Sequence, residues 1–229
     1  MTEAFARIHP VSRSLLRSGE LNIMLISPHL NCIGESATMK KAFITTIVAG
    51  VLATQANAAL ETGASAPDFT APASLDGSEF TYSLKDSLSA GPTVVYFYPS
   101  AYTQGCNIQA HTFAINMDKF REAGASVVGV SLDSIERLND FSADPEYCAG
   151  QLPVVSDADG SIAESYDIQV RGGREGATDT RGVEIGHGFA ERTTFIVSSD
   201  GKVVGTVGGV SPEENVMQSL QMIESLASR

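Results

Sequence analysis

Residues 93–98 constrain the fold most strongly, because they form a near-continuous run of β-branched and aromatic side chains. Such a run is typical of a strand that is buried on both faces of an α/β sheet. A proline and a short polar turn follow, and then a helical pattern over residues 107–122 that stops near Gly124. A buried strand leading directly into a helix predicts a layered α/β domain.

Short apolar runs and helical patterns continue to alternate along the rest of the chain. We predict a turn at residues 86–91, a surface loop at 172–188 and a loop-like segment at 59–80 that leads into the first strand. The predicted strands are residues 80–84, 127–132, 152–155, 193–198 and 203–207, and the predicted helices are residues 134–143, 161–166 and 212–228. The order predicts a three-layer α/β fold with a mixed central sheet, whose antiparallel part is the final hairpin.

Cys106 lies at the predicted start of the helix that follows the buried strand. Helix N-termini carry partial positive charge and free N–H donors, which favour the thiolate form of cysteine. A thiolate is the nucleophilic form, so the position suggests thiol chemistry. The alternative is that Cys106 is a small buried hydrophobic residue, and its placement alone leaves both possibilities open.

The N-terminal region has the pattern of a targeting segment. Residues 39–41 are a short basic start, and residues 42–53 are an uncharged apolar stretch of about 12 residues, which is too short to span a bilayer comfortably. Ala58 then closes a small-x-small site, so we predict a signal peptide at residues 39–58 and a periplasmic or secreted protein with no stable membrane association. The alternatives are a membrane anchor or a core helix.

This interpretation divides the chain into three parts. Residues 1–38 show no clean periodicity, and we predict that they are an extension of the gene model or unstructured. Residues 59–229 then form a single domain. The formal net charge of −12 argues against nucleic acid and anionic membrane surfaces as partners.

Three cysteines occur in the chain, at positions 32, 106 and 148. Cleavage after Ala58 would remove Cys32 and leave Cys106 and Cys148. An exported protein with two cysteines can hold a plain structural disulfide, because the periplasm is oxidising. That possibility competes with thiol chemistry at Cys106.

The motif Pro99-x-x-x-Thr103-x-x-Cys106 resembles the signature of the peroxiredoxins. Its wider context, residues 103–110, is most similar to the bacterioferritin-comigratory, or peroxiredoxin Q, branch. Further matching segments follow in the family's order at residues 128–133, 152–157 and 192–197. The resemblance covers about residues 63–226. It implies a thioredoxin-like fold with an N-terminal extension, and a thiol-dependent peroxidase of antioxidant defence that needs no cofactor.

The resemblance also implies roles for four residues in the reduction of hydrogen peroxide or organic hydroperoxides. Cys106 would be the nucleophile that becomes a sulfenate, and Thr103 would offer a hydroxyl that donates to the peroxide and accepts a hydrogen bond locally. Arg192 would supply a fixed positive charge that favours the thiolate and polarises the peroxide. Pro99 would shape the loop and shield the thiolate. Each of the last three also has an ordinary explanation, as a turn residue, a strand-end charge or a strand terminator.

The chain departs from the branch at one position that concerns the fate of the sulfenate. Many members place a resolving cysteine five residues after the nucleophile, where this chain has His111, which we predict to be a partly exposed helix residue. Cys148 is the candidate resolving cysteine, which would form a disulfide with Cys106. The alternative is a one-cysteine mechanism with an external thiol, and the reductant would be thioredoxin-like, glutaredoxin-like or a small thiol.

Rival functions on the same fold fit the cysteine pattern less well. A thioredoxin-like thiol–disulfide oxidoreductase would need a Cys-x-x-Cys pair, but Thr103 and Gln109 occupy the positions three residues on either side of Cys106. A copper chaperone would need two neighbouring cysteines and a histidine. A redox-sensing binding module stays open if Arg192 does not face Cys106. His187 receives no role.

Overall fold

The computed structural model describes residues 59–228, so the predicted signal peptide and residues 1–38 lie outside the described residues. Within residues 59–228, no helix is both long and apolar enough to cross a membrane. The elements in chain order are β1 (Thr70–Leu75), β2 (Ser78–Ser83), α1 (Leu84–Ala90), β3 (Thr93–Phe97), α2 (Gln104–Glu122), β4 (Ser126–Ser131), α3 (Ile135–Ala143), β5 (Val154–Ser156), α4 (Ser161–Ser165), β6 (Val170–Arg171), β7 (Phe189–Ala190), β8 (Thr193–Val197), β9 (Val203–Gly208) and α5 (Pro212–Ala227).

Seven of these strands form one mixed sheet in the order β2-β1-β5-β4-β3-β8-β9. The three strands β3, β4 and β5 run parallel. The neighbours at both ends, β1 with β2 and β8 with β9, pair antiparallel. The mixed sheet predicted from the sequence is therefore confirmed, with the final hairpin at one edge. The prediction missed the second antiparallel part, which β1 and β2 form at the other edge.

The residues of β3 alternate between the two faces of this sheet and so define three layers. Val94 and Tyr96 belong to an apolar cluster that includes buried residues of α2, α3 and α5. Val95 and Phe97 belong to a second cluster that includes residues of α1 and α4. All five residues of β3 are buried, which explains why its sequence is apolar throughout rather than alternating.

The turn predicted at residues 86–91 is wrong, because the segment lies mostly within α1. The hydroxyl of Ser83 accepts a hydrogen bond from the N–H of Asp86 at 3.2 Å, which caps the helix. Leu84 is fully buried and anchors the first turn in the core. The helix has only seven residues, too few for its apolar periodicity to stand out in the sequence.

The loop-like segment predicted at residues 59–80 contains a complete strand, β1, and the start of β2. Ala71 and Ala73 are the buried apolar side chains of β1, and Pro72 between them is exposed. Small side chains and a proline give a weak strand signal. Pairing with β2 along the whole length of β1 supplies the stabilisation that the local sequence does not indicate.

Candidate active site

Cys106 lies in the first turn of α2, beyond the carboxyl end of β3. The helix begins at Gln104, three residues earlier than predicted, and Thr103 precedes it in an extended conformation (φ −89°, ψ 149°). The side chain of Cys106 is only 2% exposed. The N–H groups of this first turn have no acceptors within the helix, so the helix end offers partial positive charge near the sulfur.

Arg192 places its guanidinium group beside the thiol. The Nη2 atom of Arg192 lies 3.3 Å from the Sγ atom of Cys106. Strand β8 pairs antiparallel with β3 and sets Thr193 opposite Phe97. Residue 192 therefore lies beside the end of β3, where the segment that leads to Cys106 begins. The structure thus brings together two predicted site residues that are 86 positions apart in the sequence.

A buried amide that the sequence analysis missed binds the other side of this guanidinium. The Oε1 atom of Gln109 accepts a hydrogen bond from Nη1 of Arg192. Gln109 is fully buried, and its Nε2 atom donates to Oδ1 of Asn215 in α5 at 2.9 Å. Gln109 follows Cys106 by three residues, which places both on the same face of α2. That spacing is the signal in the sequence that could have identified it.

Gly105 leaves the space that the guanidinium occupies. A Cβ atom at this position would lie 3.1 Å from Nη2 of Arg192 and 3.5 Å from Cγ of Pro212. The first of these distances is tighter than ordinary van der Waals contact. The missing side chain therefore allows Arg192 to approach the N-terminus of α2 closely.

Thr103 and Pro99 lie in the segment between β3 and α2. Thr103 is half-buried, and its hydroxyl donates to the carbonyl oxygen of Ser100 at 2.9 Å. The predicted direction is therefore reversed: the hydroxyl donates locally, so its single proton is in use, while its oxygen can still accept a hydrogen bond. Pro99 is half-buried and directly follows Tyr98, whose N–H makes a bond to β4 just beyond the end of β3. The proline itself has no N–H to extend the ladder.

Tyr102 has a left-handed backbone conformation (φ 61°), which is unfavourable for an aromatic residue. The ring centroids of Phe141 and Tyr147 lie 5.0 and 5.8 Å from that of Tyr102, both in edge-on geometry. The guanidinium carbon of Arg181 lies 3.2 Å from the same centroid. Aromatic and cation–π contacts of this kind stabilise the strained conformation.

Residues 172–188 are not simply the surface loop that the sequence predicted, because part of the segment packs against the approach to Cys106. Thr180 donates both its N–H and its hydroxyl to the carbonyl oxygen of Tyr102, at 2.9 and 2.8 Å. Asp179 is only 6% exposed, and its carboxylate binds Nη2 of Arg137 at 2.8 Å. The glycines and charges that suggested a solvated loop therefore include a paired, buried carboxylate.

A second buried carboxylate, that of Asp133, binds the start of the segment between β3 and α2. It accepts hydrogen bonds from the Oγ atom of Ser100 and the N–H of Ala101, both at 2.7 Å. It also lies 2.8 Å from Nε2 of His187, whose Nδ1 lies 2.7 Å from the carbonyl oxygen of Gly188. Both ring nitrogens of His187 face acceptors, and this arrangement favours the doubly protonated, cationic imidazole.

The electrostatics of this pair favour its charged form. Burial opposes ionisation of Asp133, but the hydrogen bonds from His187 and Ala101 outweigh it and lower the pKa of Asp133. Burial also opposes the cation at His187, yet the hydrogen bond to Asp133 prevails and raises the pKa of His187. The sequence alone indicates no role for His187, because nothing near it in the chain points to a partner at position 133.

The chain also matches a known protein family. Residues 62–206 match the AhpC/TSA family. The chain belongs to the AhpC/TSA family. Within it, the chain is a peroxiredoxin of the bacterioferritin-comigratory, or peroxiredoxin Q, branch.

Several known peroxiredoxins are similar to this chain over most of their own length. The peroxiredoxin Bcp of Escherichia coli is 31% identical over 144 residues, which cover 63% of this chain and 83% of the relative. Peroxidoxin BcpB from Mycobacterium tuberculosis superposes with a TM-score of 0.61 at 28% identity, over 73% of this chain and 98% of that one. Peroxiredoxin Q of Xanthomonas campestris gives a TM-score of 0.54 at 29% identity, over 75% and 99%.

These relationships establish the class of activity. This peroxiredoxin is a thiol-dependent peroxidase with a thioredoxin-like fold, and it uses a peroxide substrate and a thiol reductant. They favour peroxide reduction over the thiol–disulfide exchange that the same fold also supports.

Cys148, the second cysteine of the described part of this peroxiredoxin, is fully buried. It lies in the turn that follows α3 and belongs to the same apolar cluster as Cys106. Both thiols are free. Burial, with a smaller effect from the charge of Asp144, raises the pKa of Cys148 far above its ordinary value. The Cys148 thiol is therefore protonated in this conformation.

His111 is exposed on α2, as predicted. Its Nδ1 atom lies 3.0 Å from the carbonyl oxygen of Glu146. A carbonyl oxygen only accepts, so Nδ1 carries the proton and donates. The side chain of His111 thus links α2 to the turn that carries Cys148.

Proposed function

We propose that Cys106 is the peroxidatic cysteine of this peroxidase and that Arg192 activates it. The observation that supports the proposal is the 3.3 Å separation between Nη2 of Arg192 and Sγ of Cys106. The sulfur also lies in the first turn of α2 and is almost completely shielded from water. A fixed positive charge and a helix N-terminus both favour the thiolate, which is the form that attacks a peroxide.

The reaction transfers one oxygen atom to the sulfur. The thiolate of Cys106 attacks one peroxide oxygen, and the S–O bond forms as the O–O bond breaks. The other oxygen takes up a proton and leaves as water or an alcohol, so that cysteine is oxidised to sulfenic acid while the peroxide is reduced by two electrons. Arg192 stabilises the negative charge that develops on the leaving oxygen.

Thr103 and Pro99 have supporting roles in this proposal. Because its proton is committed to Ser100, the Thr103 hydroxyl offers an acceptor to a peroxide O–H group and so helps to orient the O–O bond. Pro99 follows the last ladder bond, that of Tyr98, without adding an N–H donor, and it helps to keep water away from the thiolate.

We propose that Cys148 resolves the oxidised Cys106. Its sulfur attacks the sulfenic sulfur, an S–S bond forms, and the hydroxyl group leaves as water with the thiol proton. An external thiol, either a thioredoxin-like or glutaredoxin-like protein or a small molecule, then reduces the disulfide. Cys106 and Cys148 belong to the same apolar cluster, and this supports their pairing. Since both thiols are buried, the first turn of α2 and the turn around Cys148 must open locally before disulfide geometry is reached.

We also infer that the enzyme acts after export, in the periplasm or outside the cell. The proposal rests on the basic, apolar and small-residue pattern of residues 39–58. Cleavage after Ala58 would leave the whole family match intact, because the match begins at residue 62. N-terminal sequencing of the exported protein tests the inference. The expected first residue is Ala59, and a mature protein that retains residues 1–38 would contradict it.

Peroxide consumption with dithiothreitol as reductant tests the assignment of Cys106 and Arg192. We expect activity to fall to background in Cys106→Ser and by about 100-fold in Arg192→Met, because that substitution removes the charge that stabilises the leaving oxygen. Cys148→Ser is the matched cysteine control and should stay active, since dithiothreitol can reduce the sulfenic acid directly. Full activity in Cys106→Ser would overturn the assignment.

Mass spectrometry after one equivalent of peroxide tests the resolving step. We expect an intrachain link between Cys106 and Cys148, with a mass lower by two hydrogen atoms, in the wild type. The Cys148→Ser protein should instead carry a sulfenic acid at Cys106. A wild type that accumulates only the sulfenic acid would support the one-cysteine mechanism and contradict the proposal.

A further inference from the structure

The side chain of Asn215 is fully buried near the start of α5, and both ends of its amide are engaged. Its Oδ1 atom accepts hydrogen bonds from Nε2 of Gln109 at 2.9 Å and from the hydroxyl of Thr194 at 2.6 Å. Its Nδ2 atom donates to the carbonyl oxygen of Val207 in β9 at 3.1 Å. A buried amide with this many partners is held in a single orientation.

The two ends of this hydrogen-bond series determine its direction. A guanidinium group only donates, and a backbone carbonyl oxygen only accepts. Asn215 must therefore turn its NH2 group towards Val207 and its oxygen towards Gln109. Gln109 must then turn its NH2 group towards Asn215, which leaves its oxygen facing Arg192. The carbonyl group of Val207 in β9 thus sets which end of Gln109 meets the guanidinium.

We propose that Asn215 is a positioning residue of the peroxidase reaction. The proposal rests on the proposed roles of Cys106 and Arg192. Asn215 does not contact the sulfur; it keeps the oxygen of Gln109 directed at Arg192, and Gln109 keeps Nη2 of Arg192 next to the thiol. The distance of 3.3 Å between Nη2 and Sγ depends on this arrangement.

Loss of the Asn215 side chain removes the constraint on Gln109. The Gln109 amide is then free to rotate and to present its NH2 group to the guanidinium, and two donors cannot bind each other. Arg192 loses its acceptor and is no longer held against Cys106. The sulfur then loses a fixed positive charge beside it, and the leaving oxygen loses a well-oriented one.

The substitution Asn215→Leu tests this, because leucine has a similar size but neither donor nor acceptor. Two quantities are measured on the folded protein: the pH midpoint of Cys106 alkylation by iodoacetamide, in a Cys148→Ser background, and the second-order rate constant with hydrogen peroxide. We expect the midpoint to rise by about one pH unit and the rate constant to fall about tenfold. If the leucine variant does not fold, Asn215→Ser replaces it, since a serine hydroxyl is too short to reach Gln109.

The substitution Asn215→Asp separates positioning from a structural role. A carboxyl group buried at this position is expected to stay protonated, and it can then donate to Val207 while it accepts from Gln109 and Thr194. We therefore expect an alkylation midpoint and a rate constant close to those of the wild type, even if the variant is less stable. A variant that loses activity in proportion to its stability would contradict a positioning role.

Ser219→Ala is the matched control on the same helix. The buried hydroxyl of Ser219 donates to the main-chain carbonyl of Asn215 at 2.7 Å and does not contact the Asn215 side chain. We expect this substitution to lower the free energy of unfolding without moving the alkylation midpoint. A shift equal to that of Asn215→Leu would show that any loosening of α5 has the same effect, and would overturn the inference.

The double variant Asn215→Leu with Arg192→Met distinguishes a failure of this inference from a failure of the proposed function. If Asn215 acts through Arg192, the double variant should be no worse than Arg192→Met alone. Fully additive losses would contradict the inference and leave the role of Arg192 intact. If Arg192→Met itself changes neither quantity, the proposed function of Arg192 is wrong, and the positioning role fails with it.

Discussion

His187 and Asp133, 54 positions apart in the chain, form an ion pair with Nε2 2.8 Å from Oδ1. The Asp133 carboxylate is fully buried and also binds Ser100 and Ala101, in the segment that leads to Cys106. The pair therefore connects the glycine-rich segment 172–188 to the cysteine, and it stabilises the conformation in which the thiol faces the guanidinium of Arg192.

Replacement of this histidine should give a pH-dependent loss of stability. We expect His187→Gln to lower the free energy of unfolding by about 2 kcal/mol near pH 6, because a charged hydrogen bond to a buried carboxylate is lost. Since folding raises the pKa of His187, the ionic contribution is fully present below the ordinary histidine value of about 6.5. It is lost as the pH rises through the folded-state value.

At low pH, Asp133 limits the contribution of the ion pair to stability, because folding lowers the pKa of this carboxyl group. Its contribution is present above the ordinary aspartate value of about 4 and is lost as the pH falls through the folded-state value. Urea unfolding of the wild type and His187→Gln across this range measures both limits. A difference between the two proteins that does not vary with pH would argue against the ion pair.

Arg181→Ala should accelerate the formation of the Cys106–Cys148 disulfide after oxidation. The guanidinium of Arg181 stacks on Tyr102, and a contact worth about 1 kcal/mol would slow local opening roughly fivefold. The rate is measured by acid quench and mass spectrometry after one equivalent of peroxide. Arg174→Ala is the control, because Arg174 is exposed in the same segment. Equal rates in Arg181→Ala and the wild type would show that Tyr102 does not limit the opening.

The substitution Gly105→Ala should lower the peroxidase activity without lowering the stability of the protein. The added Cβ atom would lie 3.1 Å from Nη2 of Arg192, and Gln109 restricts how far the guanidinium can withdraw. We expect the rate constant with hydrogen peroxide to fall about fivefold, whereas the free energy of unfolding stays unchanged or rises by up to about 1 kcal/mol, because alanine favours a helix over glycine. Gly172→Ala, where the Cβ atom meets nothing within 4 Å, should change neither quantity.

The sequence predicted those parts of the molecule whose signals are local. The apolar run at 93–98, the helix after it and the final hairpin carry enough periodicity or β-branched character to be recognised on their own. The Pro99, Thr103 and Cys106 motif is likewise a short segment with fixed spacing, and Arg192 is marked by the strand that follows it. The structure confirms the strands and helices and places Arg192 at the thiol.

The features that the sequence did not indicate depend on contacts between distant segments. β1 has small side chains and a proline, and it exists because it pairs with β2 and β5. His187 acquires its role only through Asp133. Gln109 lies beside Cys106 in the motif, but its function in orienting Arg192 becomes visible only when α5 brings Asn215 against it. Such roles require the tertiary structure, because no local pattern records the partner.

Peroxide should oxidise Cys106 before any other residue of this peroxiredoxin. Trapping with dimedone, which labels sulfenic acids, tests it most directly: the enzyme is reduced, mixed with less than one equivalent of hydrogen peroxide in the presence of dimedone, and mapped by peptide mass spectrometry. The wild type and the Cys148→Ser protein, in which no disulfide competes with dimedone, are both treated. We expect the label at Cys106 of the Cys148→Ser protein, strongly reduced when Arg192→Met is added at the same reaction time, and none at the buried, protonated Cys148 of the wild type. Label at Cys148 with Cys106 unmodified, or labelling of Cys106 that does not depend on Arg192, would contradict the account.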